Sequence, residues 1–436
     1  MQFRSTISKD ILVSFKDAVL HCLAPDGGLY VPDQAMDLRQ FFLYMDENIS
    51  YPELVATLAP SLLQGELNPF SAARVAASAF DFEPELIQLD DNHSILNLYK
   101  GPTGIFKDFG IAFLAAVIEE LIKNSEPALV LSAARGDTGV SMAHAFHGRK
   151  GIYLILVYPS GPIYGIDPAC FASNGGNIIP IQIDGTFDDC QRLITDTIMD
   201  RDFSARYRIT SGNAINPGRL LPQTFYYLYA FVKIKKRLSS DLMFSVPSGN
   251  FGNLIAGLYA WKFGMPVNGF IAAMNVNNAF GDFLRGGSFV PRQVVATNSP
   301  ALDVGIPANF QRLSSFYEEA PAVMRNLVYP ASIDDDLTRW IIEYAWKKYK
   351  IFIDPHTAVA LAATEQLAAS RKWGNQVHTV VLATGHPAKE ADIVSKATGQ
   401  KIEIPENLLM LQKKSNPIAV IKPQIEAFEA VIAGCF

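Results

Sequence analysis

Lys107 lies in the stretch GPTGIFKDFG (101–110), a lysine set among glycines and apolar residues. Lysine is seldom fully buried unless something pairs with it. After it, Phe109, Phe113, Ile118 and Leu121, with Leu114, Val117 and Ile122, recur at roughly 3.6-residue spacing. That period predicts a helix over DFGIAFLAAVIEELIKN with one broad apolar face, and places Lys107 at or just before its N-terminus. The helix dipole opposes a cation there, and burial would lower the amine's pKa further. Both effects favour a neutral amine, the form that condenses with a carbonyl group. The plainer alternative is a solvated loop lysine.

Four further segments combine glycines with polar side chains at turns. In PSGNFGN (247–253), Gly249 and Gly252 let backbone N–H groups converge on an anion at a helix N-terminus. No Lys-Ser/Thr pair follows, so this is not a Walker loop, and the spacing does not fit GxGxxG. A tight turn that uses glycine for geometry alone is the competing reading. In AARGDTG (133–139), Asp137, Thr138 and the glycines offer hydroxyl and backbone donors, and Arg135 adds a cation suited to a carboxylate or phosphate. SGNAINPGRLLPQ (211–223) carries Asn213, Asn216 and Arg219 in a polar loop, a composition that ordinary turns also use. LATGHPAKE (382–390) puts Thr384 and His386 at a strand end, where a structural threonine and a capping histidine would serve as well.

The elements that must hold these residues follow a repeating pattern. ALVLSAA (128–134), GIYLILVYP (151–159), GNIIPIQID (176–184), LMFSV (242–246) and HTVVLA (378–383) read as strands. Most lead through a glycine turn into a helical stretch such as FDDCQRLITDTIMD or LIAGLYAWKFG. Strand, turn and helix in repetition predict an α/β fold on mostly parallel sheets, with ligands at the carboxyl ends of the strands. Residues 1 to about 90 look like a separate unit, with a Pro/Gly-rich turn at APDGGLYVP (24–32).

Composition narrows the function classes. The 436 residues are 49% hydrophobic and 18% charged, with net charge −6 and no basic tract, so neither nucleic acid nor an acidic membrane is an expected partner. Cys22, Cys170, Cys190 and Cys435 lack CxxC spacing, which argues against a zinc site or a disulfide framework and for reduced thiols. The start MQFRSTISKDILVSF is unlike a signal peptide, and no run reaches the ~18 apolar residues of a spanning helix. A cytoplasmic protein is the expectation.

Taken in order, these segments resemble those of the threonine synthases, a branch of the β-type (fold type II) pyridoxal-phosphate enzymes. SFKDAVLHCLAPDGGLYVP is similar to the N-terminal segment of that family, GPTGIFKDFG to its cofactor-lysine motif and ARGDTG to its substrate-carboxylate loop. NAINPGRLLPQTFYY is similar to the substrate-phosphate loop, VPSGNFGNLIAGLYA to the cofactor-phosphate loop, and DPHTAVA and TGHPAKE to its C-terminal motifs. The resemblance implies that Lys107 holds pyridoxal 5'-phosphate and moves protons. It implies that Gly249, Asn250, Phe251, Gly252 and Asn253 surround the cofactor phosphate, mostly through backbone N–H, with Asn250 also facing substrate. Thr384 would meet the pyridine nitrogen, Asp137 would lie near the phenolic oxygen, and Thr138, Asn213 and Arg219 would bind an amino-acid substrate.

The implied reaction converts O-phospho-L-homoserine and water to L-threonine and phosphate by γ-elimination and β-addition. The implied architecture is an N-terminal domain (1–92), a smaller α/β domain (93–215) and a large α/β domain (216–436), acting as a monomer. Several positions depart from the family. Ala134 and Arg135 replace Thr and Ser in the carboxylate loop, Ala214 replaces Ser in the phosphate loop, Pro162 stands where a basic residue is common, and Gly104-Ile105 replaces Leu-Ala. Three readings of Arg135 stand side by side: a substrate ligand that compensates for the lost contacts, a partner for a different acid group on the substrate, or an outward-facing arginine over the site entrance. A related enzyme acting on another activated amino acid, and a non-catalytic cofactor-binding homologue, are the alternatives.

Overall fold

The computed structural model of the chain describes residues 1–63, 66–134, 136–160, 175–286, 288–371, 376–411 and 417–436. The N-terminal stretch forms a small antiparallel sheet in the order Leu12–Ser14, Gln2–Ser5, Tyr30–Pro32. Of the three helices that follow, the short Arg39–Tyr44 has no side-chain cap, and the other two are each started by their own sequence signal. Ser50 and Glu53 form a capping box ahead of Tyr51–Leu62, and Asn68 caps Pro69–Ala79, whose first residue is proline.

Two larger sheets carry the rest. One has five parallel strands in the order Ala419–Ile421, Ile178–Ile183, Ile152–Pro159, Ala128–Ala133, Ile209–Ser211. The other has six, in the order Val328–Ser332, Gly269–Met274, Asp241–Pro247, Val377–Ala383, His93–Asn97, Glu85–Gln88, with only the last pair antiparallel. The central strands read as near-continuous apolar runs because both sheet faces are covered. The pairing cuts across the expected limits at 92/93 and 215/216. His93–Asn97 joins the six-stranded sheet beside Val377–Ala383, and Ala419–Ile421 crosses back to edge the five-stranded one. Strand partners are chosen by sheet packing, and sequence proximity does not report that.

The helix expected after Lys107 spans Lys107–Leu121, but it has no solvent face along most of its length: Asp108 to Ile118 are all buried. It packs against the helices Pro69–Ala79 and Asp137–Phe146, and the small residues Ala112, Ala115 and Ala116 are among its buried positions. Aromatic edges tie it to the N-terminal unit, with Phe109 between Tyr51 (5.2 Å) and Tyr226 (5.9 Å). Among the described residues no helix is long and apolar enough to cross a membrane. Parallel strands put their carboxyl ends on one edge, and the segments that leave Ala133, Ser211, Pro247 and Ala383 all reach a single cleft.

Candidate active site

Lys107 is half-buried on the cleft wall, the first residue of its helix, and its Nζ donates to Thr138 Oγ1 at 3.1 Å. Its backbone is fixed from two sides. Phe106 N–H donates to Thr384 O and His386 N–H to Gly104 O, both at 2.9 Å, so the lysine loop and the Thr384 strand end form a short antiparallel bridge. Behind the lysine, the buried Asp108 carboxylate accepts from Thr103 N–H (2.9 Å), Thr103 Oγ1 (2.5 Å) and Ser141 Oγ (2.6 Å). Burial raises the Asp108 carboxyl above its usual range, opposed by those three donors.

The turn at 248–253 is built to take an anion. Phe251 sits at φ +59°, a left-handed conformation that costs a bulky residue energy, and the helix Gly252–Lys262 begins immediately after it. Ile255 N–H bonds Phe251 O, so the N–H groups before it have no helical acceptor. Asn253 is buried, and its Oδ1 accepts from the Tyr226 and Tyr227 hydroxyls, both at 2.7 Å. With Oδ1 so fixed, its Nδ2 has no partner among the described residues. Gly249 is required by close approach: a Cβ there would lie 2.8 Å from Ala301 O. These unmatched donors fit the phosphate group of pyridoxal phosphate. Thr384, 8% exposed, lines the same cleft.

The same cleft holds a cation. Arg219 is buried at 5% exposure, and its Nη1 donates to Gly212 O at 2.9 Å. Among the described residues no carboxylate pairs with it, and desolvation pushes its guanidinium down to about 10, still protonated at neutral pH. A buried, uncompensated charge is costly unless an anion joins it. The segment around it is anchored by Asn216, whose Nδ2 reaches Val19 O in the N-terminal unit at 2.9 Å and whose Oδ1 caps Gly218 N–H. Gly110 of the lysine helix touches the same segment, since a Cβ on it would lie 2.4 Å from Arg219 O.

The cleft thus brings together Lys107, Thr138, Asn213, Arg219, Gly249, Asn250, Phe251, Gly252, Asn253 and Thr384. Two residues expected there behave differently. Asn213 uses its amide to bridge two strand ends, accepting from Ala133 N–H and donating to Ala133 O, each at 2.9 Å. Asp137 is not among the residues lining the cleft: its carboxylate pairs with Lys389 at 2.8 Å, an ammonium that also donates to Thr103 O. Arg135 and Pro162 lie outside the described residues, as does Cys170. Among the described residues no group of His, Cys, Asp or Glu could hold a metal ion.

Several residues had no role in the sequence reading. His356 lines the cleft, its Nδ1 against Asp354 Oδ2 at 2.5 Å and its Nε2 accepting from Ala301 N–H at 3.1 Å. Those partners imply the neutral tautomer with the proton on Nδ1. The motif DPHTAVA was visible, but only folding shows that His356 faces Lys107's cleft. Nearby, burial pushes the Glu390 carboxyl up to about 7. Arg312, distant in sequence, is fully buried and holds the 214–215 backbone, and Gln223 lines the cleft beneath Arg219.

Comparison with known proteins agrees with this geometry. Residues 96–385 match the family described as pyridoxal-phosphate dependent enzyme, 2–77 the threonine synthase N terminus, and 357–432 the threonine synthase C-terminal region. The chain is 34% identical over 401 residues to threonine synthase of Serratia marcescens, and 34% over 399 residues to that of Escherichia coli, covering 91% of each chain in both cases. Its fold superposes on the Escherichia coli threonine synthase crystal structure with a TM-score of 0.88, at 30% identity over all of both chains. It superposes on pyridoxal-phosphate-bound threonine synthase from Brucella melitensis with a TM-score of 0.87, at 28% identity over 100% of this chain and 99% of that one. With family models matched along most of its length and relatives 34% identical over 91% of the chain, the chain belongs to the threonine synthase family of pyridoxal-phosphate dependent enzymes.

Proposed function

We propose that the chain converts O-phospho-L-homoserine and water to L-threonine and phosphate, with pyridoxal phosphate bound between Lys107, Thr384 and the 249–253 turn. The observation that carries the substrate assignment is Arg219, a buried cation on the cleft wall with no carboxylate partner among the described residues. An anionic substrate group satisfies it, through charge-assisted hydrogen bonds worth about 1.5–3 kcal/mol each. The cofactor, when bound, supplies an electron-withdrawing ring that makes the α-carbon of an attached amino acid acidic. Everything else falls to the chain's own residues. Lys107 Nζ, held beside Thr138, takes and returns protons at substrate Cα and Cβ. The Thr384 hydroxyl, with no charge of its own, would be the group to meet the ring nitrogen and would leave it neutral.

The catalytic and binding roles given to Lys107, Asn250, Thr138, Asn213 and Arg219 belong to this proposal. So do three units divided near 92 and 215, although strand pairing crosses both limits. A monomeric state belongs to the same proposal. Kinship with threonine synthases supports a cytoplasmic place. The test is phosphate release and threonine formation from O-phospho-L-homoserine by the cofactor-loaded protein. The expected outcome is equimolar products, lost in Lys107→Ala; a loaded protein inert toward this substrate contradicts the proposal.

A further inference from the structure

Asn309 precedes the helix Phe310–Glu319 at a position where asparagine usually caps, yet its side chain makes no capping bond. It is fully buried. Oδ1 accepts from Arg312 Nη1 at 2.7 Å, which fixes the amide's orientation. Nδ2 then has no hydrogen-bond partner among the described residues, and it lies 3.5 Å from the place a Cβ on Gly252 would occupy. Gly252 opens the helix whose first N–H groups lack acceptors. Buried donors that converge with no acceptor between them are unfavourable until an anion enters.

We propose that Asn309 is a further donor to the cofactor's phosphate group at the 249–253 turn, held in that role by Arg312. This rests on the cofactor placement proposed above. Arg312 is a positioning residue with a second reach: its other N–H groups donate to Tyr30 O (3.1 Å), Ala214 O (2.9 Å) and Ile215 O (2.5 Å). One guanidinium thus joins the N-terminal unit, the loop that leads to Arg219, and the side chain that faces the phosphate cradle. Filling the cradle and ordering the substrate loop are linked through it.

The test compares affinities of the apo chain for pyridoxal phosphate and for pyridoxal, read by absorbance titration. Asn309→Asp keeps the acceptor for Arg312 but removes the donor; Asn309→Ala removes both. The expected result is that both variants lose ~10–100-fold in affinity for pyridoxal phosphate and stay within about twofold for pyridoxal. An Asp variant that binds pyridoxal phosphate as well as the native chain overturns the proposal and leaves Asn309 a support for Arg312. Equal losses for both ligands overturn it too. Native cofactor affinity with a raised KM for substrate would move the donor to the substrate's phosphate, against the proposal. A native chain that binds no pyridoxal phosphate would instead overturn the cofactor placement itself, and this inference with it.

Discussion

The two walls of the cleft take up anions by different means. At 248–253 the donors are backbone N–H groups and neutral amides, Asn253 among them, stiffened by Tyr226 and Tyr227 and by the close contact of Gly249 with Ala301. Elsewhere in the cleft, a full charge on Arg219 is buried with Gly212 O as its one acceptor among the described residues, and its segment is braced by Asn216, Gly110 and the N-terminal unit. An unmatched neutral donor costs about 1–3 kcal/mol when the cradle is empty. A buried charge costs several kcal/mol in desolvation until it is paired. The first design suits a resident cofactor, and the second suits a substrate that comes and goes, because unmet desolvation is returned as binding energy when the anion arrives.

Substitutions can break each wall separately. Lys107→Ala sits between them and is expected to have the largest effect, a loss of kcat of ~10³-fold or more, since it removes the group that moves the protons. The two close-approach glycines come next. A Cβ on Gly249 collides with Ala301 O, so Gly249→Ala should weaken cofactor binding by ~10–100-fold and spare substrate KM at saturating cofactor. A Cβ on Gly110 collides with Arg219 O, so Gly110→Ala should do the reverse, raising KM by a similar factor with cofactor affinity kept. Equilibrium titration and steady-state kinetics on both variants check this exchange of effects.

The smallest expected effect concerns Glu390. Burial raises its carboxyl to about 7, above the value of an unfolded chain. The unfolded state therefore loses the proton first, and the native state is progressively disfavoured as pH rises from about 4.3 toward 7. Glu390→Gln should stabilise the protein at pH 8 by roughly 1–2 kcal/mol and leave it unchanged at pH 4. Denaturant melts at the two pH values measure it.

How much of this the sequence disclosed follows the same division. Lys107, Gly249, Gly252 and Thr384 sit in local strand-turn-helix motifs, where identity and spacing already define the geometry, and the parallel sheets follow from the same alternation. Residues whose work depends on distant partners were hidden or misplaced. Asp137 carried the right chemistry for a cofactor contact, but Lys389, 252 positions away, takes its carboxylate. Asn213 lines the cleft as expected, but its amide bridge to Ala133 is a contact across 80 positions that no local motif announces. His356 stood in a quoted motif with no visible target, and Arg312 and Asn309 drew no notice because nothing near them in sequence hints at Ala214 or Gly252. The strand His93–Asn97 went to the other sheet for the same reason: pairing is decided by packing across hundreds of residues.

The claim that Arg219 is left uncompensated in order to receive the substrate's anion is tested most directly by thermal unfolding of the cofactor-loaded protein, native and Arg219→Met, as inorganic phosphate is added. With the cradle already filled by the cofactor, the native midpoint should rise with phosphate. The variant should start at or above the native midpoint, relieved of a buried charge, and should not respond. A variant that starts well below the native protein and still gains stability from phosphate would contradict the account.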